Sequence, residues 1–110
     1  MWERVDDPEL PPEIAAVTTS VWLYPEVAQI GVMRRMMMAP PYLWCQIINR
    51  GVKNVMKAPG ILTDLQQELY MPEVYAEAEL DQPRNQALLL YLGFREIPSQ
   101  DARKHYVRSI

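Results

Sequence analysis

Glu73–Ile97 reads EVYAEAELDQPRNQALLLYLGFREI, and its first nine residues fix a strand. Val74, Ala76, Ala78 and Leu80 fall on one face of a period-two pattern, and Tyr75, Glu77 and Glu79 on the other. Pro83 is well placed at the first turn of a helix, where a missing N–H costs nothing, and Gly93 at its left-handed end. The spacing therefore predicts a short helix over 83–92. Phe94–Ile97 and His105–Ile110 then read as a hairpin around the polar stretch 98–104.

Working towards the N-terminus, Ile61, Leu62, Leu65 and Leu69 recur at helical spacing. Pro59 is expected at the start of that helix, Pro72 stops it, and 49–58 is expected to be a loop. Tyr42–Ile48 (YLWCQII) is a continuous apolar run whose length suits a strand buried on both faces, with Cys45 a buried apolar residue. Ala15–Tyr24 alternates β-branched and aromatic positions and reads as a strand, with 27–33 as its return. A helix over 26–38 competes with that return strand, because methionine is a good helix former; Met36, Met37 and Met38 are expected as filler of an irregular core. Residues 1–13 read as an extended, acid- and proline-rich arm, with Trp2 and Val5 as exposed anchors if it lies on a neighbouring chain. Residues 14–110 are expected to form a single domain, in the order strand, strand, strand, helix, strand, helix, strand, strand.

Composition narrows the function classes. A chain of 110 residues, 49% hydrophobic and 23% charged, is globular and of single-domain size. One cysteine and one histidine exclude an internal disulfide, a cysteine-built zinc site and any two-histidine metal motif, so no metal is expected. The lone thiol suits a reducing compartment. No apolar run approaches the roughly 18 residues of a membrane span, and the acidic N-terminus is no signal peptide. The net charge of -3 hides blocks: 27–63 carries five cations and no acid, and 64–81 six acids and no base. The pI near 5.1, with no basic cluster interleaved with aromatics, argues against a nucleic-acid partner.

The element order from Tyr42 onward, with LLLYLGFREI (Leu88–Ile97) and its Leu92-Gly93-Phe94 helix end, resembles the GCN5-related N-acetyltransferase (GNAT) fold. The resemblance implies an α+β class: a compact mixed central sheet whose N-terminal helices are reduced. It also implies a cradle for the pyrophosphate of acetyl-CoA at a helix N-terminus, normally Gln/Arg-x-x-Gly-x-Gly/Ala. The register KAPGIL assigns this to Lys57, Gly60, Ile61 and Leu62, with Leu62 where a small residue is usual. A second register, Arg50–Val55, has the leading Arg but puts Lys53 and Val55 at the small positions. The family's usual general-acid tyrosine falls at Leu89, so Tyr91 is the nearest substitute, and Glu77 or Glu79 is the candidate general base.

These departures imply a non-catalytic, acetyltransferase-like structural or accessory protein without a bound cofactor. The layout also resembles small virion proteins of short-tailed bacteriophages, which implies a virion location and protein partners docked through the arm. The alternative is an acetyl-CoA-dependent N-acetyltransferase of the cytoplasm.

Overall fold

The computed structural model describes residues 1–34, 40–48 and 51–110. Met36–Met38 and Arg50, singled out above, lie outside the described residues. The chain packs as two compact units, Met1–Met56 and Lys57–Ile110, where one domain over 14–110 is expected from the sequence. The class is α+β, as expected, with seven strands among the described residues.

In the first unit, β1 (Glu3–Arg4), β2 (Thr18–Tyr24), β3 (Ala28–Met33) and β4 (Tyr42–Ile47) pair antiparallel in that order. The strand reading of 27–33 therefore holds over Ala28–Met33, and the competing helix is absent there. A single short helix, α1 (Pro12–Ala15), stands between β1 and β2. The N-terminal residues are more structured than an arm with exposed anchors. Trp2 is only 5% exposed and meets the Tyr24 ring edge-on, with centroids 5.3 Å apart. The Val5 N–H donates to the Val21 carbonyl at 2.9 Å. The composition is that of a linker, but an indole gains more from a ring and a sheet edge than from water.

The strand β4 corrects a second expectation. Leu43 is buried, yet Cys45 and Gln46 reach solvent, so the run is not covered on both faces. Trp44 explains the glycine opposite it. Gly31 pairs with Trp44, and a Cβ at Gly31 would collide with the indole ring. The indole Nε1 donates to the Thr18 hydroxyl at 3.1 Å, and Thr18 donates to the Ile14 carbonyl at 2.7 Å. One aromatic thus ties β4, across β3, to β2 and the end of α1.

In the second unit, β7 (Arg103–Ser109) is central, with β5 (Glu73–Glu79) on one side and β6 (Arg95–Ile97) on the other. Val74, Ala76 and Ala78 are buried as the alternation requires; Leu80 lies beyond the strand and is 60% exposed. The helix α3 (Pro83–Tyr91) ends as its sequence dictates. Gly93 has φ 97°, Phe94 N–H bonds the Leu89 carbonyl and Gly93 N–H the Leu90 carbonyl, which together are a Schellman cap.

The helix α2 (Val52–Glu68) starts seven residues earlier than its sequence suggests, with Pro59 inside it. Residues 52–58 are helical, not loop. Its C-terminus repeats the Schellman pattern, Met71 N–H to Gln66 and Tyr70 N–H to Gln67, with Tyr70 rather than glycine in the left-handed position at φ 54°.

The Trp44–Gly31 contact generates a direct expectation. Gly31→Ala forces the indole off the strand and costs about 2–4 kcal/mol through overpacking and a lost hydrogen bond. Urea unfolding measures it; an unchanged midpoint would remove this contact from the folding argument.

Candidate functional site

The helix start that matters is residue 52, not residue 59. Lys57, Gly60, Ile61 and Leu62, expected as an anion cradle, lie well inside α2. Their N–H groups point back along the helix, towards carbonyls four residues earlier. Ile61 and Leu62 are buried in the core at 8% and 4% exposure. Lys57 and Gly60 are on the surface, with nothing within 4 Å of a Cβ built at Gly60. These four residues therefore form no turn for a phosphate. Proline in mid-helix mimics a helix start in sequence, and that mimicry misplaces the cradle.

The second register lands where the first fails. The chain leaves β4 at Ile47, bends at Ile48 and enters α2 at Val52. The Gly51 carbonyl accepts the Val55 N–H at 3.1 Å, which closes the first turn. By helix geometry, the first amides of α2, those of Val52 and Lys53, lie ahead of the intrahelical ladder and point outward. No acidic residue occupies this turn, and Lys53 is exposed beside it. The positive end of the helix dipole, outward amides and an ammonium together suit an anion. The Asn54 amide reaches the Glu26 carbonyl at 3.5 Å.

The carboxylates expected as general base lie on one face of β5. Glu77 Oε2 is 2.9 Å from Arg103 Nη1, and Glu79 Oε1 is 3.0 Å from Arg103 Nε. The two carboxylates hold Arg103 more firmly protonated, the Glu77 hydrogen bond most of all. Glu77 is the more enclosed, with 12% of its side chain exposed against 46% for Glu79. Opposite Glu77 on β7 stands His105, the chain's one histidine. Its Nε2 is 2.8 Å from Asp101 Oδ2. Asp101 also accepts the Arg103 N–H at 2.9 Å and the Ser99 hydroxyl at 3.0 Å. These bonds, the Arg103 amide first, hold the Asp101 carboxyl below its usual range. Asp101 and its partners Ser99, Arg103 and His105 are close in sequence, but Glu77 and Glu79 meet Arg103 only when β5 pairs with β7.

Tyr91 is the last residue of α3 and 47% exposed. Leu89 is half-buried, and its carbonyl belongs to the helix cap. Cys45 reaches the surface, but the protein around its thiol pushes it up to about 11 by desolvation. At neutral pH it is a thiol, not a nucleophilic thiolate.

No family model matches the sequence, and no curated protein matches it. Solved structures do. An acetyltransferase from Agrobacterium tumefaciens is 14% identical, with a TM-score of 0.58, over 83% of this chain and 60% of that one. A chimera of the spermidine N-acetyltransferase of Vibrio cholerae is 10% identical, with a TM-score of 0.62, over 82% of this chain and 66% of that one. A GNAT-family acetyltransferase from Listeria monocytogenes is 9% identical, with a TM-score of 0.58, over 83% of this chain and 63% of that one. The chain thus spans less than two thirds of each neighbour. The fold is that of the GNAT acetyltransferases, in a compact form with one four-residue helix before β2.

Two outcomes check this site. Gly60→Ala is expected to stabilise the protein by about 0.5–1 kcal/mol, since the added methyl meets open space in a helix. A loss of stability in urea would contradict the helical placement of KAPGIL. For Cys45, the fold keeps a proton that the unfolded chain releases earlier, so its contribution to stability is present at neutral pH and is lost as pH rises through about 11. Iodoacetamide labelling of the native protein should be slow at pH 8 and climb steeply towards pH 11; a rate at pH 8 equal to that of free cysteine would refute the desolvation argument.

Proposed function

We propose that the chain is an acetyl-CoA-dependent N-acetyltransferase. The observation that carries this reading is the run from β4 into the acid-free, lysine-bearing N-terminus of α2, in a fold shared with acetyltransferases. The amides of Val52 and Lys53 and the Lys53 ammonium would hold the pyrophosphate of acetyl-CoA. When bound, acetyl-CoA supplies an activated acetyl thioester. Glu77 is the base in this reading: enclosed, beside Arg103, and opposite His105. Tyr91 is the nearest phenol to the family's acid position.

A second reading keeps the fold without the catalysis: an accessory or virion protein. Leu89 favours it, since a leucine cannot return a proton to a departing thiolate. Among the described residues no helix is long and apolar enough to cross a membrane. Turnover separates the two readings, because only the first releases free thiol from acetyl-CoA in the presence of an amine.

The binding step is tested by calorimetric titration of acetyl-CoA into the protein and into Lys53→Glu. Millimolar acetyl-CoA is expected to raise the melting temperature of the parent protein. Lys53→Glu should weaken binding by about tenfold while preserving or slightly raising thermal stability, because an acid suits a helix N-terminus that an anionic ligand must share. No heat and no thermal shift with the parent protein would end the enzymatic reading.

A further inference from the structure

Trp2 and the segment after it are held in opposite ways. Trp2 is buried against Tyr24, Glu3 and Arg4 pair with Leu23 and Trp22, and Val5 donates to Val21. Asp6–Leu10, by contrast, make no hydrogen bond or ion pair among the described residues. This segment stands over a cavity of about 260 Å³, with Val5, Pro8 and Leu10 on one side and Thr18, Ser20 and Val21 on the other. Asp6, Asp7 and Glu9 repel one another, and Pro8, Pro11 and Pro12 stiffen the chain on its way to α1.

We propose that residues Met1–Val5 exchange between two copies of this chain, each β1 completing the edge of the other copy's β2. The bonds made by β1 are the same in either arrangement, so only the connecting segment decides between them. Among the described residues, that segment breaks no polar bond on swinging out. Charge repulsion and proline favour the extended form. Closure within one chain is favoured by effective concentration, which for a short flexible linker is in the millimolar range and falls as the linker stiffens. Exchange therefore rises with protein concentration, and the partner is a second copy of the chain.

Two measurements test this on the folded chain. In the first, Arg4→Cys and Trp22→Cys, which face each other across β1 and β2, are introduced together with Cys45→Ser. Oxidation after equilibration at about 10 μM should give internally linked monomer, and at about 1 mM a substantial fraction of covalent dimer; Arg4→Cys alone sets the background. Monomer only at both concentrations would overturn the proposal. In the second, Asp6–Pro11 are deleted, so that β1 cannot fold back on its own β2. Light scattering should then report a dimer at micromolar concentration, reverting to monomer on adding Trp2→Ala. A folded, monomeric deletion variant would also overturn it. Neither readout involves acetyl-CoA, so the result is independent of the enzymatic reading.

Discussion

Arg108 brings a full positive charge into the second unit, where only 7% of the residue remains exposed, and none of its hydrogen-bond acceptors is a carboxylate. Its Nε donates to the Leu92 carbonyl at 2.7 Å, Nη1 to Gln66 Oε1 at 2.7 Å, and Nη2 to the Pro59 carbonyl at 2.8 Å and the Thr63 hydroxyl at 2.7 Å. Desolvation lowers its pKa, but a guanidinium starts so high that it stays charged. Burying an ion costs several kcal/mol even after relaxation, so every one of these acceptors is needed. Leu92 is well suited, because the carbonyls at the end of a helix carry partial negative charge. Gln66 is fully buried and returns the bond by donating to the Met71 and Arg108 carbonyls at 3.1 and 3.2 Å. One side chain thus fixes α2, the end of α3 and β7 together.

The same contact engages the proline inside α2. Proline in a helix interior removes a donor and costs about 3 kcal/mol in isolation. Here the Pro59 carbonyl takes bonds from both Arg108 and the Thr63 hydroxyl. Those bonds draw on residues 45 or more positions apart for the arginine, and a reading along the chain has no access to them. Proline therefore marks a helix start in sequence and a helix middle in the folded protein. The legible elements are those whose reasons are local. The alternation of β5, the Pro83 start of α3 and its Gly93 end depend on neighbours within a few residues. Trp2 misleads for the converse reason: acids and prolines around it are local features of a linker, while its burial depends on Tyr24.

The candidate site obeys the same division. The fold is legible because strand order and the Leu92-Gly93-Phe94 cap are written locally, and it is shared with acetyltransferases at only 9–14% identity. An anion seat depends instead on which residue begins a helix, and a shift of seven residues moves it from KAPGIL to the first turn of α2. That shift also alters the objection to cofactor binding. A leucine at position 62 would argue against close approach of a phosphate, but Leu62 is a core residue of the helix and says nothing about the cradle. Lys53 and Val55 become the relevant departures from small residues. Fold alone does not assign activity, so the weight falls on this turn and on the β5 carboxylates.

Those carboxylates share one guanidinium across β5 and β7. Glu77 has little exposed surface, while Arg103, 2.9 Å away, is itself half-exposed. An exposed guanidinium on a flexible stem is a replaceable partner. In the N-acetyltransferase reading, an incoming ammonium competes with Arg103 for Glu77, and the displaced arginine still has Glu79 at 3.0 Å. The exchange leaves no charge stranded: the acceptor's positive charge replaces one that was already neutralised. His105, opposite Glu77 on this face, is held at its Nε2 by Asp101 of the hairpin turn. In that same reading, the exchange of Arg103 for an ammonium is what this face offers an incoming amine.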